Sequence, residues 1–309
     1  MLDTPAAVLV HSAFYRFTPL ADPAAAATCL RQVAQGLHGS IVVAREGLNG
    51  AVAGSEGAVA GFEAALQSPQ VLGGACAGMV FRHSACDMPP FGRLKVAVRP
   101  ELVALGLPGP AGSAPGSLPD ERDASHLSPA DWRHLLADQK VVLLDNRNHF
   151  EFRLGRFQGA LDPAVGHFRD IAAWVQAQAP AWRAAGQPVA MYCTGGIRCD
   201  KTAPWLRSLG LTVWQLDGGI LGYLQAAPAD DHLWQGDCLV FDRRIALDRH
   251  LQPAPLRADQ VYDAQRPDEA WRLQRARRLE GAVAAASSPP TTPPITLPTT
   301  QPTALPGPG

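Results

Sequence analysis

The chain lacks the features from which most metal and disulfide sites are read. Its six cysteines, Cys29, Cys76, Cys86, Cys193, Cys199 and Cys238, are dispersed. There is no Cys-x-x-Cys pair and no His/Cys spacing suited to zinc, so neither a metal site nor a disulfide framework is expected. An excess of one charge is also missing: 27 Lys and Arg face 28 Asp and Glu, for a net charge of -1. Global electrostatics give no argument for nucleic acid, and any RNA contact must use a local patch. No apolar run is long enough to span a bilayer. The opening residues, Met1-Leu2-Asp3-Thr4-Pro5, lack the basic n-region of a secretory leader. The expectation is a soluble, reduced, cytoplasmic protein with no membrane association and no obligate protein partner. Its 309 residues and ordinary apolar content argue for two packed cores.

What is present divides at a linker. Val8 to Phe17 reads as a strand, and Pro23 to Leu37 as a helix with Asp22 as N-cap and Pro23 at N1. Ser40 to Ala44 is a strand, Gly47-Leu48-Asn49-Gly50 a turn, and Ala51 to Ala53 the returning strand. Ser55 to Leu66 is a second helix with Ser55 as cap, and Met79 to Ser84 and Leu94 to Val98 add strands. The order β-α-β-β-α-β predicts an α+β, ferredoxin-like (acylphosphatase-like) sandwich over residues 1–106. Residues 107–125, rich in Pro, Gly, Ser and charge, read as a linker.

From His126 strands and helices alternate. A helix starts at Ser128-Pro129, and the apolar strand Val141-Val142-Leu143-Leu144 ends in Asp145. A helix around Phe168 to Gln178, a strand from Val189, a helix from Lys201 to Leu209, a strand from Val213 to Leu216 and a helix after Gly218-Gly219 follow. This predicts an α/β domain with a parallel sheet over 126–230. An extension over 231–283 holds a short strand and turn within Leu239 to Arg244. It also holds a basic helix, Ala270 to Leu279, whose Arg272, Arg275, Arg277 and Arg278 fit a solvated face or an RNA contact. Residues 284–309, dominated by Ala, Ser, Thr and Pro, cannot build a core and read as a disordered tail.

The stretch from Val189 to Lys201 carries the chemistry. A buried strand ends in Cys193; Thr194, Gly195, Gly196 and Ile197 form a loop; Arg198 and a helix follow. Loop N–H groups converging at a helix N-terminus make an anion cradle. A cysteine at its base should have a lowered pKa. Gly195 and Gly196 are expected to take the dihedrals and close approach that a cradle needs. Arg198 could pair with a bound anion or hold the loop. Cys199, in the first helical turn, could resolve an oxidised or persulfidated Cys193, or pack beneath the loop. Asp145 and Arg147 end a central strand, where α/β sites form, and are candidate supporting residues. Glu46 and Asn49 could contact RNA, although backbone geometry explains a turn of this composition. Arg16, Arg93 and Lys95 are candidates for a basic patch, with no spacing argument that puts them on one face. His149 and His167 read as isolated surface residues.

Leu144-Asp145-Asn146-Arg147, Glu151, Gly155, Gly159-Ala160, the Cys193 loop and Leu216-Asp217-Gly218-Gly219-Ile220 together resemble a rhodanese domain. Phe14-Tyr15-Arg16-Phe17, Arg45 to Gly50, Arg93 to Val96, Cys193 to Lys201, Leu233-Trp234 and Phe241-Asp242 narrow the likeness. The combination resembles the rhodanese-containing tRNA uridine hydroxylases over residues 8–245. The resemblance implies oxygen-dependent conversion of uridine at tRNA position 34 to 5-hydroxyuridine, with the loop cysteine, Cys193, essential. It implies tRNA as partner and molecular oxygen as co-substrate; no resident cofactor or metal is evident. In the rhodanese pattern Asp145, Arg147 and Glu151 read as one buried network fixing the loop. Many members carry a cysteine pair after the Phe-Asp segment, and this chain has no cysteine beyond Cys238.

Three mechanisms fit a thiolate in this cradle. A sulfurtransferase would carry a persulfide on Cys193, stabilised by the loop N–H groups and Arg198. A phosphatase would hold phosphate there, but the six-residue span from Cys193 to Arg198 is one residue shorter than the rhodanese-related phosphatases use. A hydroxylase would add Cys193 to C6 of a uracil splayed from its stack. A non-catalytic binding module is the remaining class, and the presence of Cys193 speaks against it.

Overall fold

The computed structural model describes residues 9–86, 88–105, 107, 124–138, 140–228 and 230–287. Most of the expected linker, and the expected tail from 288 on, lie outside the described residues.

The first unit comprises β1 (Leu9–Phe17), α1 (Pro23–Val33), β2 (His38–Ala44), β3 (Gly47–Gly54), α2 (Glu56–Gln67), β4 (Phe81–Cys86) and β5 (Leu94–Val98). The sheet order is β4-β1-β3-β2-β5, with β5 parallel to β2 and the other pairs antiparallel. This is the ferredoxin-like sandwich with one further edge strand. Asp22 caps α1 by accepting from Ala24 and Ala25 N–H, and Ser55 caps α2, as short oxygen-bearing side chains do. Leu30, Ile41, Leu48, Phe62 and Leu66 fill the core between the helices and one sheet face.

The hairpin differs from expectation. Ala44 pairs with Gly47, so the turn is Arg45-Glu46 and Gly47 to Gly50 lie in β3. Glycine is required at 47 because its φ is +137° and a Cβ would collide with the Arg16 carbonyl oxygen. Strand parity also separates the expected basic patch. Tyr15 pairs with Asn49, Asn49 with Val42 and Val42 with Ala97. Lys95 therefore shares a face with Tyr15, while Arg16 points to the other face, where it donates to Ala77 O.

The second unit comprises β6 (His126–Leu127), α3 (Pro129–Asp138), β7 (Val142–Asp145), α4 (His149–Leu154), β8 (Gly155–Phe157), α5 (Ile171–Ala184), β9 (Val189–Tyr192), α6 (Ile197–Ser208), β10 (Val213–Leu216) and α7 (Gly219–Ala226). Its parallel sheet runs β6-β10-β9-β7. The period of two along β9 sends Val189, Met191 and then Cys193 into a core shared with α5 and α6. Ala190 and Tyr192 enter the opposite core with Trp132 of α3 and Tyr223 of α7. Both faces are covered, which explains the continuous apolar strands. The helix expected from Lys201 begins at Ile197. Gly196, at φ +105°, turns the chain straight from strand end to helix, so Arg198 and Cys199 lie in the first turn.

β11 (Trp234–Gly236) pairs with β8, and β12 (Cys238–Leu239) with β13 (Ala246–Leu247). The expected strand within Leu239 to Arg244 is therefore mostly turn. After α8 (Ala258–Val261), α9 (Pro267–Ser287) runs past the point where the tail was expected to begin. Arg272 on α9 is not a solvated residue: its guanidinium lies 4.7 Å from the Phe150 ring centroid and donates to Gly166 O at 3.2 Å. Nor are the two histidines isolated, since His149 meets Asp162 at 2.6 Å and His167 meets Arg272 at 3.1 Å. Among the described residues no helix is long and apolar enough to cross a membrane.

Candidate active site

Cys193 stands just past β9, buried at the base of its loop. The Gly196 N–H donates to its Sγ at 3.1 Å. Burial alone would push this thiol up. The Cys199 thiol, the Arg198 charge and the N–H groups of the first turn of α6 outweigh it, bringing Cys193 down to about 6. Cys193 is thus a thiolate at neutral pH. Cys199 is driven the other way by burial and by its bond to Cys193, so it is a protonated donor to the thiolate. The carbonyls of Cys193 and Thr194 turn outward, accepting from Ile220 and Leu221 N–H of α7 at 2.9 and 3.1 Å. Of the two loop glycines, Gly196 alone has a left-handed φ; Gly195 has neither that nor a crowded Cβ position.

Arg198 forms a two-pronged pair with Glu151 of α4 at 2.8 and 2.7 Å and reaches Thr194 Oγ1 at 3.3 Å. Asp145 and Arg147 form a second such pair at 2.8 and 2.7 Å. Tyr192 OH donates to Asp145 at 2.7 Å, and Arg147 donates to Gly155 O at 2.6 Å. The single network expected of Asp145, Arg147 and Glu151 is therefore two. One joins the end of β7 to β8 and β9; the other joins α4 to the Cys193 loop.

The open face of the first sheet lies over this loop. Tyr15 OH donates to Asp200 Oδ2 at 2.8 Å, and His126 Nε2 meets Asp200 Oδ1 at 2.9 Å. A Cβ on Gly196 would come within 2.7 Å of Tyr15 Oη. Burial and then Asp200 raise the Tyr15 phenol well above its usual range, keeping it neutral. Ile197 packs against the cluster of Phe17, Ala44 and Leu102, as do Tyr15 and Val42. Lys201 Nζ is held between Glu46, at 2.9 and 3.0 Å, and Glu101, at 2.5 Å. Glu46, read as an RNA contact or as plain turn geometry, is thus part of an ion cluster with Lys201 and Glu101.

Between the two units is a cavity of about 970 Å³. Cys193, Thr194, Gly195, Ile197 and Arg198 line it, as do Tyr15, Asn49 and Asn148; Asp145, Arg147 and Gly196 do not. His11, Phe91, His126 and Asn148 also reach its walls, and sequence reasoning assigned none of them. His11 and His126 find their partners far along the chain, in Asp242 and Asp200, so no local pattern marks them, whereas Asn148 is paired locally with Glu151. Tyr15 and Phe241-Asp242 did stand in the family motifs, without a role.

Residues 9–102 match the family described as UPF0176 acylphosphatase like domain, and residues 128–226 match the Rhodanese-like domain. A tRNA uridine(34) hydroxylase of Jannaschia sp. is 42% identical over 249 residues, covering 80% of this chain and 78% of that protein. One from Synechococcus elongatus is 44% identical over 250 residues, covering 79% and 87%. A third, from Anaplasma marginale, is 39% identical over 251 residues, covering 79% and 85%. The chain belongs to the tRNA uridine(34) hydroxylase family. Likeness of that length is too great for either unit alone, so in this member of the hydroxylase family it takes in both walls of the cavity.

Proposed function

We propose that this protein hydroxylates uridine 34 of tRNA, with Cys193 as nucleophile and the interdomain cavity as the seat of the extruded base. The observation that carries the reading is the Cys193 thiolate on the wall of a cavity of about 970 Å³ closed by both units. A persulfide sulfur needs no such room, whereas a nucleotide does. Position 34 lies in a single-stranded loop, where a base can leave its stack at modest cost.

The thiolate adds to C6 of the uracil, moving the C5–C6 electron pair toward C5 and O4. C5 then takes one oxygen atom from molecular oxygen, the co-substrate. The other oxygen leaves as water, using two electrons and two protons from an external reductant. Loss of the C5 proton expels Cys193 and restores the ring as 5-hydroxyuridine. Thr194 and Arg198, fixed through Glu151, hold the loop around the sulfur, and Asp145 with Arg147 supports it from beneath. The partner is tRNA, and the compartment is the cytoplasm.

Nucleoside mass spectrometry of total tRNA tests this in cells lacking the gene, complemented with wild type or Cys193→Ala. Wild type should restore 5-hydroxyuridine and its derivatives, and Cys193→Ala should not. If wild type leaves position 34 unmodified, the hydroxylase reading fails, and persulfide transfer from Cys193 becomes the reading to pursue.

A further inference from the structure

The turn between β12 and β13 presents a phenyl ring to water. Phe241 is 61% exposed, more than any other large apolar side chain among the described residues. The residues around it are fixed. Val240 is buried, and its N–H donates to Ile245 O at 2.8 Å. The Asp242 carboxylate accepts from the Arg244 N–H at 2.9 Å and from the Arg244 guanidinium at 3.0 and 2.6 Å. The Arg243 N–H donates to Pro90 O at 3.0 Å, and Arg244 reaches Ser84 Oγ at 3.2 Å, so the turn is fastened to the first unit. A ring held out by a fixed backbone is preorganised for a partner, because little chain ordering remains to be done on binding.

Phe241 and Cys193 line the same cavity. Cys193 is 1% exposed, so the two residues mark its floor and its rim. At about 970 Å³ the cavity lies at the upper end of the roughly 300–1,000 Å³ of pockets for drug-sized ligands, more than a single uracil fills. Its lining is also cationic, in a chain whose net charge is -1. Six arginines line it against two acids, Asp200 and Asp242, and no lysine. Arg198 and Arg244 are answered by Glu151 and Asp242, and Arg82 reaches Asp217 only at 3.5 Å. Arg169 is exposed and has no carboxylate partner among the described residues. An aromatic ring on the edge of a cationic groove is the arrangement that holds single-stranded nucleic acid: the cations follow the backbone and the ring takes a base face.

We infer that Phe241 is a stacking platform for a base next to uridine 34, holding the anticodon loop while the uracil reaches Cys193. This rests on the hydroxylase reading. With uridine 34 on the floor, the nucleotides joined to it lie toward the rim. Once the uracil leaves the stack, a neighbouring base loses a stacking partner, and the phenyl ring replaces it. Every base has a π-face, so the contact holds the loop without reading its sequence.

The test is binding of the full-length protein to an anticodon stem-loop RNA with uridine at position 34, intact or with an abasic nucleotide at position 33 or 35. Phe241→Ala should weaken binding of the intact RNA roughly 5- to 150-fold, the range for one stacked base. Phe241→Leu keeps apolar bulk without a ring face and should weaken it likewise, whereas Phe241→Trp should stay within about 2-fold of wild type. One of the two abasic RNAs should bind wild type as weakly as the intact RNA binds Phe241→Ala, and combining the two changes should add no more than about 2-fold. Thermal unfolding of the variants should match wild type, because the side chain lies at the surface. Wild-type affinity in Phe241→Ala or Phe241→Leu overturns the assignment, as does full additivity with both abasic RNAs. Self-association that Phe241→Ala abolishes, with RNA affinity unchanged, also overturns it and makes the ring a contact between copies of the chain. Product in the cellular assay alongside any such result removes Phe241 alone; absence of product removes the hydroxylase reading itself.

Discussion

Two buried arginine–carboxylate pairs stand near each other in the second unit, with the same two-pronged geometry and nearly the same distances. Asp145–Arg147 is wholly enclosed, with Arg147 lying between the rings of Tyr192 and Trp234 at 5.7 and 5.6 Å. Glu151–Arg198 has its arginine on the cavity wall, 5.9 Å from the Phe168 ring. Their electrostatics also part. Burial lifts the Asp145 carboxyl above its usual range against the pull of Arg147. At Glu151 burial pushes the same way, but Arg198 overrides it and the carboxyl falls below its usual range. The comparison shows that a buried pair does not by itself mark a site. What marks it is the element each partner ties down: β7 to β8 and β9 in one case, α4 to the thiolate loop in the other.

Breaking the enclosed pair should give the largest effect. Asp145→Ala leaves Arg147 charged and enclosed without its counter-ion, and should cost about 3–5 kcal/mol of stability in chemical denaturation. Glu151→Gln keeps an acceptor for Arg198, which borders the cavity and can be rehydrated, so its stability loss should be about 1–3 kcal/mol. Its effect on 5-hydroxyuridine formation should be larger than its effect on folding, on the order of 100-fold, because the loop loses its anchor. If Glu151→Gln proved the more destabilising and left turnover intact, the distinction between the two pairs would collapse.

The same distinction explains what could be read in the sequence. The Cys193 loop was legible because its parts are contiguous: strand, glycine turn and helix N-terminus fall within one short segment. The caps at Asp22 and Ser55 were legible for the same reason. The Gly47 to Gly50 segment misled because glycine serves both tight turns and close strand approach, and here Gly47 lies against the Arg16 carbonyl oxygen. Glu46 looked like a loop residue free for RNA because its partner, Lys201, is 155 positions away.

The thiolate end of the comparison can be sharpened by titration. Alkylation of Cys193 requires the thiolate, so its rate should be near its plateau at neutral pH and fall as pH drops through about 6. Cys199→Ala removes the thiol that donates to it, and the midpoint should move up. A midpoint that stayed in place would mean that Arg198 and the backbone N–H groups suffice alone.

Tyr15→Phe should have the smallest effect, and it asks whether the covering sheet belongs to the cradle or only to the cavity. The change removes one hydrogen bond to Asp200 while leaving the ring packed against the Phe17, Ala44 and Leu102 cluster and Asp200 still paired with His126. The stability loss should be about 0.5–1.5 kcal/mol. The alkylation midpoint of Cys193 should not move, because the groups that lower it are Cys199, Arg198 and their backbone N–H groups, all on α6. Base binding should weaken, since Tyr15 lines the cavity from the side opposite the loop. A shift in the Tyr15→Phe midpoint as large as that of Cys199→Ala would make the first unit part of the machinery that ionises the cysteine. The division between a cradle that activates and a cover that shapes would then have to be redrawn.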